Sequence, residues 1–151
     1  MVDKLRKVPE VKHIMEFGDE FIPEMPIMSQ VITDEGNFID IRGKLDGVIK
    51  KGDDIIIMDL KTSGKGISDW KRNAWWGSYP RQAYMYSQMA GAKLFYFCVI
   101  TKEFPFDVAL LRASDSFLQK GKEQFEQSIS NYERLFLNGE YKPYGADVDI
   151  L

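Results

Sequence analysis

The sequence is poor in the residues that specialised chemistry recruits. Cys98 is the one cysteine in 151 residues, which excludes an internal disulfide, a four-cysteine zinc site and an iron–sulfur cluster. The N-terminus is charged from residue 3 (Asp3, Lys4, Arg6, Lys7) and lacks the apolar centre of a signal peptide. Neither sign of charge dominates: 20 Lys and Arg stand against 23 Asp and Glu, a net charge of -3. A uniformly basic nucleic-acid coat is thereby excluded, although a local basic patch is not. There is no internal repeat, low-complexity tract or Pro/Gly/Ser-rich linker. The expectation is a soluble protein of a reducing cytoplasmic compartment, with no membrane association.

What is present suits a single domain over 1–151: 44% hydrophobic and 28% charged residues. Leu5, Val8, Val11, Ile14 and Met15 recur at helical spacing within residues 3–17, and Gly18 ends the run. A strand is predicted over Met25–Thr33, then a turn at Asp34–Asn37. Strands over Phe38–Lys50 and Asp54–Thr62 follow, joined at Lys51-Gly52-Asp53. Ile55-Ile56-Ile57-Met58 is apolar on both faces, as in a central, doubly covered strand. After a Gly/Ser-rich loop (Thr62–Ser68), a helix is predicted over Tyr79–Ala90, closed by Gly91. A buried strand over Leu94–Ile100 and an edge strand over Phe106–Leu111 come next. Ser114-Asp115-Ser116 then caps a final helix ending at Asn138-Gly139, with Phe117, Leu118, Gly121, Phe125, Ile129, Tyr132 and Phe136 on one stripe. The predicted order α-β-β-β-α-β-β-α describes an α/β protein, a mixed sheet with helices on its faces.

Chemistry concentrates in Gly43-Lys44-Leu45-Asp46 and Asp59-Leu60-Lys61-Thr62. Strand residues two apart share a face, so Asp59 and Lys61 emerge side by side at the end of an apolar run. An ionised carboxylate there costs several kcal/mol unless it is paired. A short hairpin brings Asp46 opposite Asp59, and two adjacent carboxylates repel unless a hard cation such as Mg²⁺ is shared between them. The Leu60 carbonyl is a further oxygen ligand, and Lys61 stands where it orients or helps deprotonate an attacking water. Asp-x-Lys alone is commonly a surface ion pair. The isoleucine run before it and the acid on the neighbouring strand favour a site.

With Gln82-Ala83-Tyr84-Met85-Tyr86 added, the motifs resemble the PD-(D/E)XK nuclease superfamily, and within it the RecB-like branch that includes exonuclease VIII and lambda exonuclease relatives. The likeness spans about residues 20–100. It implies a restriction-endonuclease-like core, Asp46, Asp59 and the Leu60 carbonyl as metal ligands, and Asp46, Asp59 and Lys61 as the catalytic set. Gln82 and Tyr86, four apart on one helix face, are implied to face the site and the substrate. The resemblance further implies a Mg²⁺-dependent DNA exonuclease of phage or prophage recombination, with Mn²⁺ as a substitute ion and often a homo-oligomeric ring or a recombination partner protein. The alternatives are a catalytically incomplete DNA- or partner-binding module on the same fold, and a structure-specific endonuclease.

The chain departs from the branch in lacking the N-terminal helical region that completes the metal site in full-length relatives. His13, the sole histidine, stands outside the expected context and reads as a surface residue; Glu16 and Glu24 are the candidate third acids. Between Lys65 and Arg81, the cations Lys65, Lys71, Arg72 and Arg81 interleave with Trp70, Trp75, Trp76 and Tyr79. Such a segment serves equally as a DNA-contacting surface or as a protein interface. The Phe stripe of the final helix, Met25 and Met28 read as core.

Overall fold

The protein is described by a computed structural model covering residues 9, 11, 12, 16 and 18–141. Five strands form one sheet in sequential order: β1 (Glu20–Ile32), β2 (Phe38–Lys51), β3 (Asp54–Ser63), β4 (Leu94–Thr101) and β5 (Val108–Arg112). Only β3 and β4 run parallel; the other neighbours are antiparallel. That parallel step needs a crossover, which two helices supply, α1 (Ile67–Trp76) and α2 (Tyr79–Ala90). A long helix, α3 (Asp115–Tyr132), follows β5 and runs into a π-helical turn at Glu133–Leu137.

Local chemistry sets most of the boundaries. Gly36 (φ 84°) closes the first hairpin and Gly52 (φ 55°) the second, in a backbone region that side-chain-bearing residues rarely adopt. Pro80 stands in the first turn of α2, and Gly91 ends that helix in the left-handed conformation. The Ser114 hydroxyl accepts the Phe117 N–H and caps α3 as its sequence predicts.

Alternation along the strands sorts the core onto two faces. Leu45, Val48, Ile57, Phe95, Phe97 and Val99 lie beneath the helices with Trp70, Ala74 and Ala83. Met58, Cys98 and Ile100 point the other way, where Val11, in a helical stretch, covers them. β3 is therefore covered on both sides, which is why Ile55–Met58 is apolar throughout. Leu45 and Val48 are three apart yet join the same cluster, as do their partners Met25 and Ile22. Strand alternation thus slips once, at Pro23–Glu24 on the edge strand, opposite Asp46–Gly47. Glu24 takes φ 51° there.

Several expectations need correction. α1 begins inside the loop read over Thr62–Ser68 and lies within the basic–aromatic segment read as a DNA-contacting surface or a protein interface; its Trp70 and Ala74 are both buried. β1 starts at Glu20, five residues early, because Pro23 is tolerated on an edge. β5 starts only at Val108, after Phe106 at φ 60°. Met28 is 78% exposed rather than core. The stripe on α3 holds through Phe117 and Leu118, and Phe125 meets Tyr84. At its end Tyr132 and Phe136 stand exposed and ring to ring. Gly121 seats α3 on α2: a Cβ there would collide with the Pro80 carbonyl. The helix predicted over 3–17 and the reading of His13 fall largely outside the described residues.

The last turn is fastened to the first hairpin. Glu133 is buried, and its Oε1 accepts from the Thr33 hydroxyl and, at 2.9 Å, from Asn37 Nδ2.

Candidate active site

The β2–β3 ladder ends at the pair Gly47–Met58. Beyond it β2 continues alongside β1, and β3 alongside β4. The two strands therefore part, and Asp46 and Asp59 are the next residues on either side of the fork. Where the ladder stops, the Asp46 carboxylate takes over: its Oδ2 accepts the Leu60 N–H at 2.8 Å. The hairpin thus brings the two acids together at the end of a central strand, as the spacing predicts.

Asp59 is 3% exposed. Its Oδ1 accepts from Gln82 Nε2 at 2.9 Å, and Lys61 Nζ lies 2.5 Å from its Oδ2. That second contact is a close ion pair, so both Asp59 oxygens have partners within the fold. Burial raises the Asp59 pKa above the ordinary carboxylate value; Lys61 opposes the rise and the nearby Asp46 charge adds to it. A buried carboxylate, a second carboxylate beside it and the Leu60 peptide between them form a hard-oxygen donor set that suits a divalent cation. Among the described residues no third His, Cys, Asp or Glu joins the pair. Glu24 stands at the register position facing Asp46, but its carboxylate is 3.0 Å from Lys44 Nζ and well exposed. Glu16 is exposed and paired with Lys12.

The helix α2 roofs this fork. Tyr79, Gln82 and Tyr86 lie on one of its faces, three and four residues apart. Gln82 reaches Asp59. The Tyr86 ring lies against Gly43 on β2, so closely that a Cβ on Gly43 would be 2.5 Å from Tyr86 Cε1. The Tyr79 ring lies under Lys61, whose Nζ is 5.5 Å from the ring centroid. Sequence reading placed Tyr79 in the basic–aromatic segment and missed this position; its spacing from Gln82 and Tyr86 was the available signal.

The remainder of that segment is divided. Trp70 is buried, stacked on Tyr79 at 5.2 Å and tilted against Phe97 at 5.3 Å. Arg72 is paired with Asp69, and Arg81 donates to Ser128. Trp75 and the exposed Trp76 flank Lys120, whose Nζ is 4.8 Å and 4.4 Å from their rings. On the far face of the sheet, burial pushes the Cys98 thiol up to about 11, which keeps it out of nucleophilic chemistry.

Comparisons with known proteins bear on the family and the fold. Residues 1–148 match the family described as "PDDEXK-like domain of unknown function (DUF3799)". No curated protein matches the sequence. A crystal structure of a "putative exonuclease" from Eubacterium rectale superposes on 99% of this chain with a TM-score of 0.65 at 17% identity. The match covers 60% of that protein, so this chain spans about three fifths of its length. A second solved structure, SSO0001, aligns with 84% of this chain and 59% of its own at 16% identity, with a TM-score of 0.49 that adds nothing to the fold assignment. The fold is restriction-endonuclease-like, a five-stranded mixed sheet with three helices. Among the described residues no helix is long and apolar enough to cross a membrane.

Proposed function

Because the chain belongs to the family of PDDEXK-like domains, a nuclease family, we propose that it is a Mg²⁺-dependent DNA exonuclease serving phage or prophage recombination. The observation that carries the reading is the fork itself: Asp46 and Asp59 at the parting of β2 and β3, with the Asp59 carboxylate buried beside Lys61. Nucleases of this superfamily generally use divalent metals. Asp46, Asp59 and the Leu60 carbonyl would hold the ion. When bound, it polarises the scissile phosphate and offsets the charge that builds in the transition state.

The chain's own residues do the rest. Gln82 fixes one Asp59 oxygen and so aims the other. Lys61 holds an ammonium beside Asp59, placed to orient the attacking water and to meet the developing negative charge. Tyr86, packed on Gly43, fixes the height of α2 over β2 and borders the path of the substrate strand. Mn²⁺ would substitute for Mg²⁺, since both accept oxygen ligands. A ring of copies or a recombination partner protein would supply the DNA channel, and the cytoplasm of a bacterial or phage-infected cell is the expected place of action.

A second reading has one observation in its favour. The absence of a third acid among the described residues fits a catalytically incomplete module that binds DNA or a recombination partner. Linear duplex DNA incubated with Mg²⁺ or with EDTA separates the two. Loss of DNA confined to the Mg²⁺ reaction supports the nuclease; no loss at any protein concentration overturns it in favour of the module. A covalently closed circle left intact supports attack from ends, whereas nicking or linearisation favours a structure-specific endonuclease.

A further inference from the structure

The superfamily resemblance gives roles to Gln82 and Tyr86 but none to Tyr79, which begins the same face of α2. We infer that Tyr79 is a positioning residue for Lys61, its ring face being the second anchor of the ammonium once Asp59 turns to a cation. This rests on the nuclease reading of the fork.

The geometry is specific. Lys61 Nζ lies 2.5 Å from Asp59 Oδ2 and 5.5 Å from the centroid of the Tyr79 ring. The negative face of an aromatic ring attracts a cation within about 6 Å, and more strongly where water is excluded. Lys61 is such a case, its side chain only 19% exposed. The ring is itself held. It stacks on Trp70 at 5.2 Å and meets Phe97 edge-on at 5.9 Å. Phe97 in turn is the β4 partner of Asp59 in the parallel ladder. Tyr79 is therefore fixed to the same strand pair that carries the acid.

The consequence is chemical. A cation on Asp59 competes with Lys61 for the same carboxylate, and the ion pair weakens when the ammonium is needed. An uncharged ring face does not compete for the metal. It would keep the ammonium sheltered and aimed while leaving both carboxylates to their ligand. One face of α2 thus holds all three parts of the fork: the lysine through Tyr79, the acid through Gln82 and β2 through Tyr86.

Two measurements test this on the full chain. In metal-free protein, the Lys61 side-chain methylene protons, observed by NMR, should be shifted upfield by the Tyr79 ring. The shift should disappear in Tyr79→Leu and persist in Tyr79→Phe. In steady-state cleavage of duplex DNA, Tyr79→Phe, which keeps the ring face, should retain the turnover that Tyr79→Leu loses. Replacing Tyr79 by phenylalanines of increasing fluorination, nearly equal in size but progressively poorer in ring charge, should lower kcat stepwise to about tenfold at unchanged KM. A Lys61 resonance indifferent to Tyr79→Leu, or a flat kcat across folded fluorinated variants, overturns the inference. If the parent cleaves no DNA, the nuclease reading fails instead, and the NMR experiment still decides whether Tyr79 holds Lys61.

Discussion

Gln82 donates its side-chain N–H to Asp59 Oδ1 across the gap between α2 and β3. This single hydrogen bond ties the helix of the Gln-x-x-x-Tyr motif to the Asp-x-Lys strand. Gln82→Leu should leave a buried carboxylate oxygen unpaired, lowering stability by about 1–3 kcal/mol and metal affinity by roughly tenfold or more. Chemical denaturation and calorimetric titration with Mn²⁺ read the two effects separately; an unchanged isotherm would remove Gln82 from the site.

Lys61→Ala takes away the ammonium and leaves both carboxylates. Turnover should fall by about 10² or more while Mn²⁺ still binds. Equal cleavage rates in the variant and the parent would end the case for a catalytic Lys61.

The pH behaviour follows from the direction of the Asp59 shift. Burial raises its carboxyl above the ordinary value, so the folded protein holds this proton more tightly than the unfolded chain does. The stability it contributes is complete below the unfolded pKa and is lost as pH rises through the folded one. A cation competes with the same proton. The rise in Tm produced by Mg²⁺ should therefore fade, on acidification, at a higher pH than an ordinary aspartate would give. A rise in Tm that persists undiminished below pH about 4, the ordinary range for a carboxylate, would contradict Asp59 as a ligand.

Gly43→Ala places a methyl group in the space of the Tyr86 ring. Lifting α2 from β2 should cost about 1–3 kcal/mol and reduce activity together with stability. Tyr86→Ala in the same background should restore part of the stability without restoring turnover. Thermal melts of the single and double variants give the comparison.

Gly121→Ala is the corresponding test of the α2–α3 contact, where the obstruction is the Pro80 carbonyl and cannot swing aside. Destabilisation should equal or exceed that of Gly43→Ala, and circular dichroism melts measure it.

Much of this was legible because the chemistry is local. The strand pair around Lys51–Asp53 is a short hairpin, so the register that joins Asp46 to Asp59 follows from the turn. Gly91 and Ser114 mark their helix ends by residue type alone. What escaped depends on tertiary contact. Gly64 and Gly66 ahead of α1 read as loop, and its inward face is set by the packing of Trp70 against Tyr79 and Phe97. Met28 and Phe136 sit in apolar patterns yet stay exposed among the described residues, Phe136 meeting the rings of Tyr132 and Tyr141 there. The position of Tyr79 beneath Lys61 depends on the tilt of α2 over the sheet, which spacing alone does not fix.

The buried carboxylate of Glu133 reaches back about a hundred residues to Thr33 and Asn37. The tip of the β1–β2 hairpin is thereby secured by a residue that lies beyond every strand of the sheet. A chain truncated ahead of Glu133 would therefore leave that hairpin unlatched while keeping every residue of the fork.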